Sequence, residues 1–252
     1  MKLNLTNFLD SKHYCQAINL RITQLRDSDV QSARECLHRD EDAFFVNGAL
    51  CYASAVQSVN SNNYSWAFIN SYYSIFFFCK VLLSNRDYGI YYIKKTPYFI
   101  KTSKGEFFTK GSGNSHQLVF GKFKELFSHE ALLIGEIDNM NNIDWFSYKR
   151  EEINYRLSPM PDPTPPLPLF KYSNDIRKWV VRYMSDNLYS FDDSHCYMAF
   201  PIYLMSIIIK QYSNNNKKNG LISDDLLIHL RKNIADGNGP IDSIITRIEA
   251  LK

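Results

Sequence analysis

Residues 64–84 read YSWAFINSYYSIFFFCKVLLS, and this stretch decides the fold. Wound as an α-helix of 3.6 residues per turn, it is apolar on nearly every side. A helix of that kind is normally covered all round by its neighbours, so we predict that it is the central helix of a helical protein. Its longest apolar run, SIFFFCKVLL, is well short of the ~20 residues that span a bilayer, and a buried core helix is therefore expected rather than a membrane span.

Helical patterns also occupy most of the rest of the chain. Residues 41–60 carry apolar side chains at three- and four-residue spacing, which indicates an amphipathic helix. Further helices are predicted at 115–127, 143–156, 172–189, 194–212 and 223–237. Within the central helix Asn70 and Ser74 lie one turn apart, so their polar groups need hydrogen-bond partners inside the core.

Two segments interrupt the helical pattern. Residues 91–110, YYIKKTPYFIKTSKGEFFTK, are expected to form a two-stranded hairpin with TSKG (102–105) as its turn. The stretch from 157 to 170 holds six of the nine prolines, which lack an amide donor and prevent a helix from continuing. The predicted fold is all-α with a small hairpin insertion, and it divides into an N-terminal helical extension (1–40), a helical bundle (41–157), a proline-rich connector (158–170) and a second, C-terminal helical lobe (171–252).

The composition is that of an ordinary globular protein. Of 252 residues, 45% are hydrophobic and 22% charged, and a net charge of +3 does not by itself require a nucleic-acid partner. The five cysteines are widely separated and form no CxxC pair, so we expect reduced thiols and no zinc site. The first residues lack the apolar run of a secretion signal, and a cytoplasmic location without membrane contact is expected.

Three segments of the chain resemble the HEPN superfamily. In the central helix a small residue, a tyrosine pair and a bulky aromatic precede an aliphatic end, as in the second HEPN helix; here these are Ala67, Tyr72, Tyr73, Phe76 and residues 81–83. NSHQLVFGKF (114–123) resembles a segment in which a histidine opens the third helix, and YKREEINYR (148–156) resembles the fourth-helix signature. More loosely, residues 193–212 resemble the C-terminal part of YaaC-like bacterial proteins.

The resemblance implies a helical bundle that often dimerises. Many members are ribonucleases of toxin–antitoxin and phage-defence systems, and others bind nucleotides or partner proteins. The active members carry an arginine followed after four to six residues by a histidine; the arginine stabilises charge on the phosphate and the histidine handles the proton of the attacking 2′-hydroxyl. No arginine of this chain has a histidine at that spacing. At the position that matches the motif, Arg150 is followed by Asn154 and Tyr155. Asparagine cannot act as a general base near pH 7, which argues against self-contained cleavage.

The motif segment (residues 148–156) and the third-helix histidine each allow two interpretations. Arg150 can be a phosphate ligand, or it can pair with Asn154 one turn away while Tyr155 packs on the aromatic core. The loop before His116 can hold an anion on free backbone amides at the helix N-terminus. Alternatively, Ser115 or Asn114 caps that helix and His116 is a surface residue.

The basic segment (residues 94–124) is the other candidate interface. It contains one acid, Glu106, and seven lysines: Lys94, Lys95, Lys101, Lys104, Lys110, Lys122 and Lys124. Its aromatics, Tyr98, Phe99, Phe107 and Phe108, either stack on the bases of a single strand or face the protein core. Five phosphate contacts by lysine would give binding to single strands a log–log salt slope of roughly −3.5.

These observations favour an accessory component of a prokaryotic phage-defence or toxin–antitoxin system that binds RNA or a partner protein without cleaving RNA. The alternative is a metal-independent ribonuclease in which Arg150 acts with His116 or with a residue of a second subunit. A structural dimerisation module is the third interpretation. The expected partners are a protein of the same system, single-stranded RNA and a second copy of the chain, and no cofactor or metal is expected.

Overall fold

A computed structural model describes residues 3–16, 23–128, 136–137, 139–156, 162, 176–185, 193–235, 237 and 239–252. The fold is mostly helical, as predicted, and the described residues also form two small antiparallel sheets, one of three strands and one of two. The helices are α1 Asn4–Ser11, α2 Val30–Asn60, α3 Tyr64–Ser84, α4 Ser115–Phe127, α5 Asn142–Glu151, α6 Ile176–Ser185, α7 Asp193–Asn214, α8 Asp224–Ile234 and α9 Pro240–Glu249. The strands are β1 Tyr88–Ile93, β2 Thr96–Lys101, β3 Thr109–Lys110, β4 Glu136–Ile137 and β5 Met140–Asn141.

The central helix has the predicted bounds and the predicted burial. Among the described residues α3 alone is long and apolar enough to cross a membrane by length and composition, but 78% of its most apolar window is buried inside the protein. Its polar side chains have the partners that the sequence required. The Ser74 hydroxyl donates to the Gly48 carbonyl oxygen at 2.8 Å, and the Asn70 amide donates to the Ser58 hydroxyl at 3.4 Å.

The chain forms two compact units. The first comprises Met1–Phe45 and Cys79–Leu126, and the second comprises Val46–Phe78 and Phe127–Lys252, so both α2 and α3 contribute to each unit. The predicted division at 41–157, 158–170 and 171–252 stays a prediction. The proline-rich connector lies outside the described residues except for Asp162, whose carboxylate accepts from the Ser65 amide at 3.2 Å.

In the first unit, α1 packs on the sheet and on the N-terminal half of α2. The Asp40 carboxylate accepts from the backbone amides of Asn4 at 2.7 Å and Leu5 at 2.9 Å, which satisfies the free donors at the start of α1. At the other end of α1 the Tyr91 hydroxyl donates to Asp10 at 2.7 Å. The buried cluster between these anchors includes Leu5, Leu9, Leu37, Tyr91, Ile100 and Phe108.

The predicted hairpin is present, but its turn and strand number differ from the prediction. Strands β1, β2 and β3 form an antiparallel sheet in that order. The tight turn lies at Lys94 and Lys95, because Ile93 pairs with Thr96, and TSKG instead joins β2 to β3. Lys94 has φ +55°, a left-handed conformation that turns normally give to glycine or asparagine, so the sequence carried no signal for this turn.

In the second unit the core is aromatic. The Phe68 ring of α3 stacks on Phe146 of α5 at 5.2 Å and on Tyr197 of α7 at 6.0 Å between centroids. Phe146 in turn stacks on Phe200 at 6.0 Å. The Asn142 amide donates to the Tyr183 hydroxyl at 3.0 Å, which joins α5 to α6. Predicted helices 194–212 and 223–237 are confirmed as α7 and α8, and 172–189 is confirmed over its described part, α6.

Helix α9 was not predicted, although its sequence carries a helix signal. Pro240 occupies the first turn, where its missing amide donor costs nothing. The buried residues of α9 recur at helical spacing and are Ile241, Ile244, Ile245 and Ile248.

Candidate functional site

The motif segment lies where α5 changes its winding. Asn141 caps α5 by accepting from the Asp144 amide at 3.0 Å. After Glu151 the helix continues as a π-helical turn, Glu152–Arg156, in which the hydrogen bonds join residues five apart. A π turn brings side chains five positions apart onto one face, and this places Arg150 beside Tyr155.

Arg150 contacts two tyrosine rings. Its guanidinium carbon lies 5.3 Å from the centroid of buried Tyr72 and 5.9 Å from that of Tyr155, within cation–π distance of both. The Nε atom of Arg150 is buried and has no hydrogen-bond partner among the described residues. Burial raises the pKa of Tyr72, and the charge of Arg150 opposes that rise. The motif arginine is therefore a positioned cation with unused donor capacity.

The other motif residues differ from the predicted arrangement. Tyr155 is 76% exposed, so the interpretation that it packs on the aromatic core is wrong. The π turn is the reason, since it directs this side chain to the solvent side of Arg150. Asn154 is half-buried, and no described hydrogen bond joins it to Arg150. Tyr73 is half-buried and meets the Tyr72 ring edge-on at 5.6 Å.

The remaining charges of the motif segment contact neighbouring side chains of the same segment. Lys149 pairs with Glu152 at 3.0 Å. The Arg156 guanidinium lies 5.4 Å from the ring centroid of Tyr148, which is partly exposed. Unlike Lys149 and Arg156, Arg150 is held against a buried ring, that of Tyr72.

His116 lies at a helix start that caps itself. The Asn114 side chain accepts from the backbone amides of His116 and Gln117, both at 3.0 Å, and the Gln117 side chain accepts from the Asn114 amide at 3.0 Å. This is a reciprocal capping box, which confirms Asn114, and not Ser115, of the two predicted caps, while His116 itself is half-buried and not a surface residue. Ser115 instead pairs with the Tyr92 hydroxyl at 2.7 Å. An anion at this helix start would need the same backbone amides that the Asn114 side chain already engages. The structure therefore argues against an anion site in this loop.

The two members of the ribonuclease alternative belong to different units. His116 lies in the first unit, where its ring meets Phe120 at 6.4 Å, and Arg150 lies in the second. Their joint action stays a prediction. Among the described residues no group of three or more His, Cys, Asp or Glu side chains could hold a metal ion.

The seven lysines of the basic segment fall into three groups. Three of them pair with acids: Lys101 with Glu106 at 3.4 Å, Lys104 with Asp27 at 2.7 Å and Lys122 with Glu125 at 2.6 Å. Lys124 is half-buried. Lys94, Lys95 and Lys110 are exposed, and none has an acidic partner in the part of the chain that the structure describes.

The three exposed lysines lie at one end of the sheet. Lys94 and Lys95 form the β1–β2 turn, and Lys110 of β3 pairs with Tyr98 of β2, three residues after Lys95. Three residues of strand span about 10 Å, and neighbouring strands are about 5 Å apart. Lys94, Lys95 and Lys110, which we call the lysine tip, therefore form one cationic group.

A groove opens beside the lysine tip, between β2, β3 and α4. Its volume is about 250 Å³, and its lining includes Phe99, Lys110 and Lys122. Gly111 makes the packing of α4 possible, because a Cβ atom there would lie 1.9 Å from a methyl carbon of Leu118. Gly121 faces open space. The sequence predictions missed this groove, and the glycines of the helix and its leading loop were the only signal for it.

The aromatics of the basic segment mostly face the core. Phe99 is 9% exposed and Phe108 is 1% exposed, which confirms for these two the interpretation of a hairpin with inward-facing rings. Tyr98 is partly buried against the cluster that contains Phe108. Phe107 is 46% exposed. The predicted stacking surface is therefore wrong for Phe99 and Phe108, because strand alternation directs them inward.

Comparison of the chain with family models, with curated proteins and with solved structures finds no match. The HEPN resemblance therefore stays a prediction that rests on the three sequence motifs. The residues with geometry suited to binding are the lysine tip, the groove beside it and Arg150.

Proposed function

We propose that this chain binds single-stranded RNA through the lysine tip and does not cleave it. The observation that carries the proposal is the set of three exposed ammonium groups without acidic partners at one end of the sheet. Phosphate contacts by such groups supply most of the affinity of non-specific nucleic-acid binding. Arg150 stays a predicted phosphate ligand, but its unbonded Nε is buried, and it is not counted among the contacts of the lysine tip.

The absence of self-contained catalysis rests on the motif segment. Asn154 occupies the position where a general base is needed, and its amide cannot accept a proton near pH 7. We further propose that α2 to α5 form a HEPN-like bundle. In support, each of the three motifs coincides with a helix: residues 64–84 with α3, 115–123 with α4 and 148–156 with α5 and its π turn. The setting in a prokaryotic defence or toxin–antitoxin system, the protein partner, the dimer and the cytoplasmic location rest on the sequence alone and stay predictions.

The test combines binding with cleavage. The purified protein is incubated with total RNA in EDTA beside an Arg150→Ala variant, and binding to a short unstructured RNA is measured by fluorescence anisotropy at low salt. We expect binding without cleavage, and weaker binding after replacement of the lysine tip by glutamine. Cleavage by the wild type that the Arg150→Ala variant lacks would overturn the non-catalytic proposal in favour of the ribonuclease alternative. No binding at low salt would overturn RNA binding itself.

A further inference from the structure

We propose that the outer edge of β1 is a docking site for an extended segment of a partner protein. The segment pairs with β1 as a fourth strand of the sheet and carries acidic residues at the end that lies next to the lysine tip. Strand β1 belongs to none of the three segments that resemble HEPN helices. Its edge offers backbone groups to a strand, whereas the proposed RNA binding uses lysine side chains.

The register of the sheet determines which backbone groups of β1 point outwards. In the sheet order β1, β2, β3, strand β1 pairs with β2 alone. The Thr102 amide donates to the Asp87 carbonyl oxygen at 2.8 Å, so the bonds to β2 are made at positions 87, 89, 91 and 93. The N–H and C=O groups of the residues between them therefore point away from β2, and these residues are Tyr88, Ile90 and Tyr92.

The outward groups of β1 have no partner in the part of the chain that the structure describes. No hydrogen bond joins the backbone of these three residues to any described residue, and all three are half-buried. The other side of the sheet differs, because the Phe108 amide donates to the Thr23 carbonyl oxygen at 3.2 Å and residues 23–25 cover the chain that enters β3. Strand β1, YGIYYI, also lacks the charges and prolines that normally protect an edge. Such an edge pairs readily with another extended chain.

Charge determines which chain fits this edge. Lys94 and Lys95 are exposed at one end of β1 and have no acidic partner among the described residues, and Arg86 is exposed at the other end. Two copies of the protein paired antiparallel about Ile90 would place Lys94 of each copy opposite Arg86 of the other, and like charges at that position oppose pairing. A segment with acidic residues beside the two lysines and uncharged residues along β1 is complementary instead.

The experiment uses a peptide of two glutamates followed by five residues that alternate threonine and valine, which places the acids beside the turn in an antiparallel pairing. A control peptide has lysines in place of the glutamates. Amide hydrogen exchange of the protein is followed by NMR with and without each peptide. In the free protein we expect fast exchange at Ile90 and Tyr92 and slow exchange at Gly89 and Tyr91, because only the second pair of amides bonds to β2.

The glutamate peptide should slow exchange at the outward amides alone. At a peptide concentration about ten times its Kd, only the unbound fraction exchanges, so the rates at Ile90 and Tyr92 should fall about tenfold while the rate at Gly89 stays unchanged. The lysine peptide should leave all of these rates unchanged.

Two sets of variants test the backbone and the charge separately. Ile90→Pro removes one outward N–H and no bond to β2, so it should weaken the peptide, whereas Ile90→Val keeps the amide and should bind as wild type. Lys94→Glu combined with Lys95→Glu changes only the turn and should reverse the preference in favour of the lysine peptide, by roughly fivefold for each charge pair about 4 Å apart. Urea unfolding shows whether each variant keeps its fold, and the charge reversal tests the site even if Ile90→Pro does not fold.

Each other outcome overturns the proposal in a recognisable way. Binding of the glutamate peptide without slower exchange at Ile90 and Tyr92 would exclude strand pairing and leave only a charge contact with the lysine tip. Slow exchange at the same amides that depends on protein concentration, without peptide, would identify a second copy as the occupant. No binding of the glutamate peptide would overturn the docking site, and none of these results depends on whether the protein binds RNA.

Discussion

The lysine tip predicts how steeply RNA binding weakens with salt concentration. Lys94, Lys95 and Lys110 are exposed without acidic partners among the described residues, whereas Lys101, Lys104 and Lys122 are paired with acids. Each ammonium that contacts a phosphate of a single strand contributes about −0.7 to the slope of log K against log salt concentration. Three contacts therefore predict a slope of about −2, and five contacts would give about −3.5.

The two slopes differ enough to be distinguished by experiment. Between about 50 and 200 mM salt, three contacts weaken binding about 20-fold and five contacts weaken it about 130-fold. Replacement of Lys110 by glutamine should reduce the slope by about 0.7, and replacement of all three residues of the lysine tip should bring it close to zero.

The assay is fluorescence anisotropy of a labelled, unstructured single-stranded RNA at a series of salt concentrations. Lys104→Gln is the matched control, because it removes the same charge from the same segment while its ammonium is engaged by Asp27 at 2.7 Å. We expect this control to leave the slope unchanged. A wild-type slope of −3.5 or steeper, or an equal loss in Lys104→Gln and Lys110→Gln, would refute the assignment of the contacts to the lysine tip.

Three further predictions concern stability and are measured by urea unfolding. Lys94→Asn should stabilise the protein by about 1 kcal/mol, because asparagine tolerates the left-handed φ of +55°, whereas Lys95→Asn should give no gain; equal effects would exclude relief of backbone strain. Asn114→Ala should cost about 1 kcal/mol through loss of the cap on His116 and Gln117, and an unchanged midpoint would contradict that cap. Burial lowers the pKa of Lys80 from 10.5 to about 8, although the negative charge of Asp40 acts in the opposite direction. Between pH 8 and pH 10.5 the unfolded state therefore binds more protons than the folded state. Stability relative to Lys80→Met should therefore rise from pH 8 to 10.5, and a flat or falling difference would contradict the shift.

The sequence predicted the elements whose signals are local. Helices α3 and α4 have the predicted bounds because turn and cap residues, SNN before α3 and Asn114 before α4, stand next to strong apolar patterns. The turn at Lys94 and Lys95 was missed because a lysine there has no turn preference and adopts a left-handed φ only in the folded sheet. The π turn after Glu151 was also missed, because no residue of that segment has a local preference for it. The exposure of Tyr155 was missed as a consequence.

The candidate site shows why charge counted along a sequence gives only an upper limit to phosphate contacts. Residues 94–124 contain seven lysines and one acidic residue. The acids that pair with Lys104 and Lys122 are Asp27 and Glu125, which lie outside this segment. The Lys104–Asp27 pair depends on a tertiary contact that no local pattern reports, whereas Lys122 and Glu125 are three residues apart on one helix, and their pairing can be predicted from the sequence. What remains after pairing is a smaller group of charges gathered at one end of the sheet by strand register. A groove between β2, β3 and α4 lies beside this group of charges.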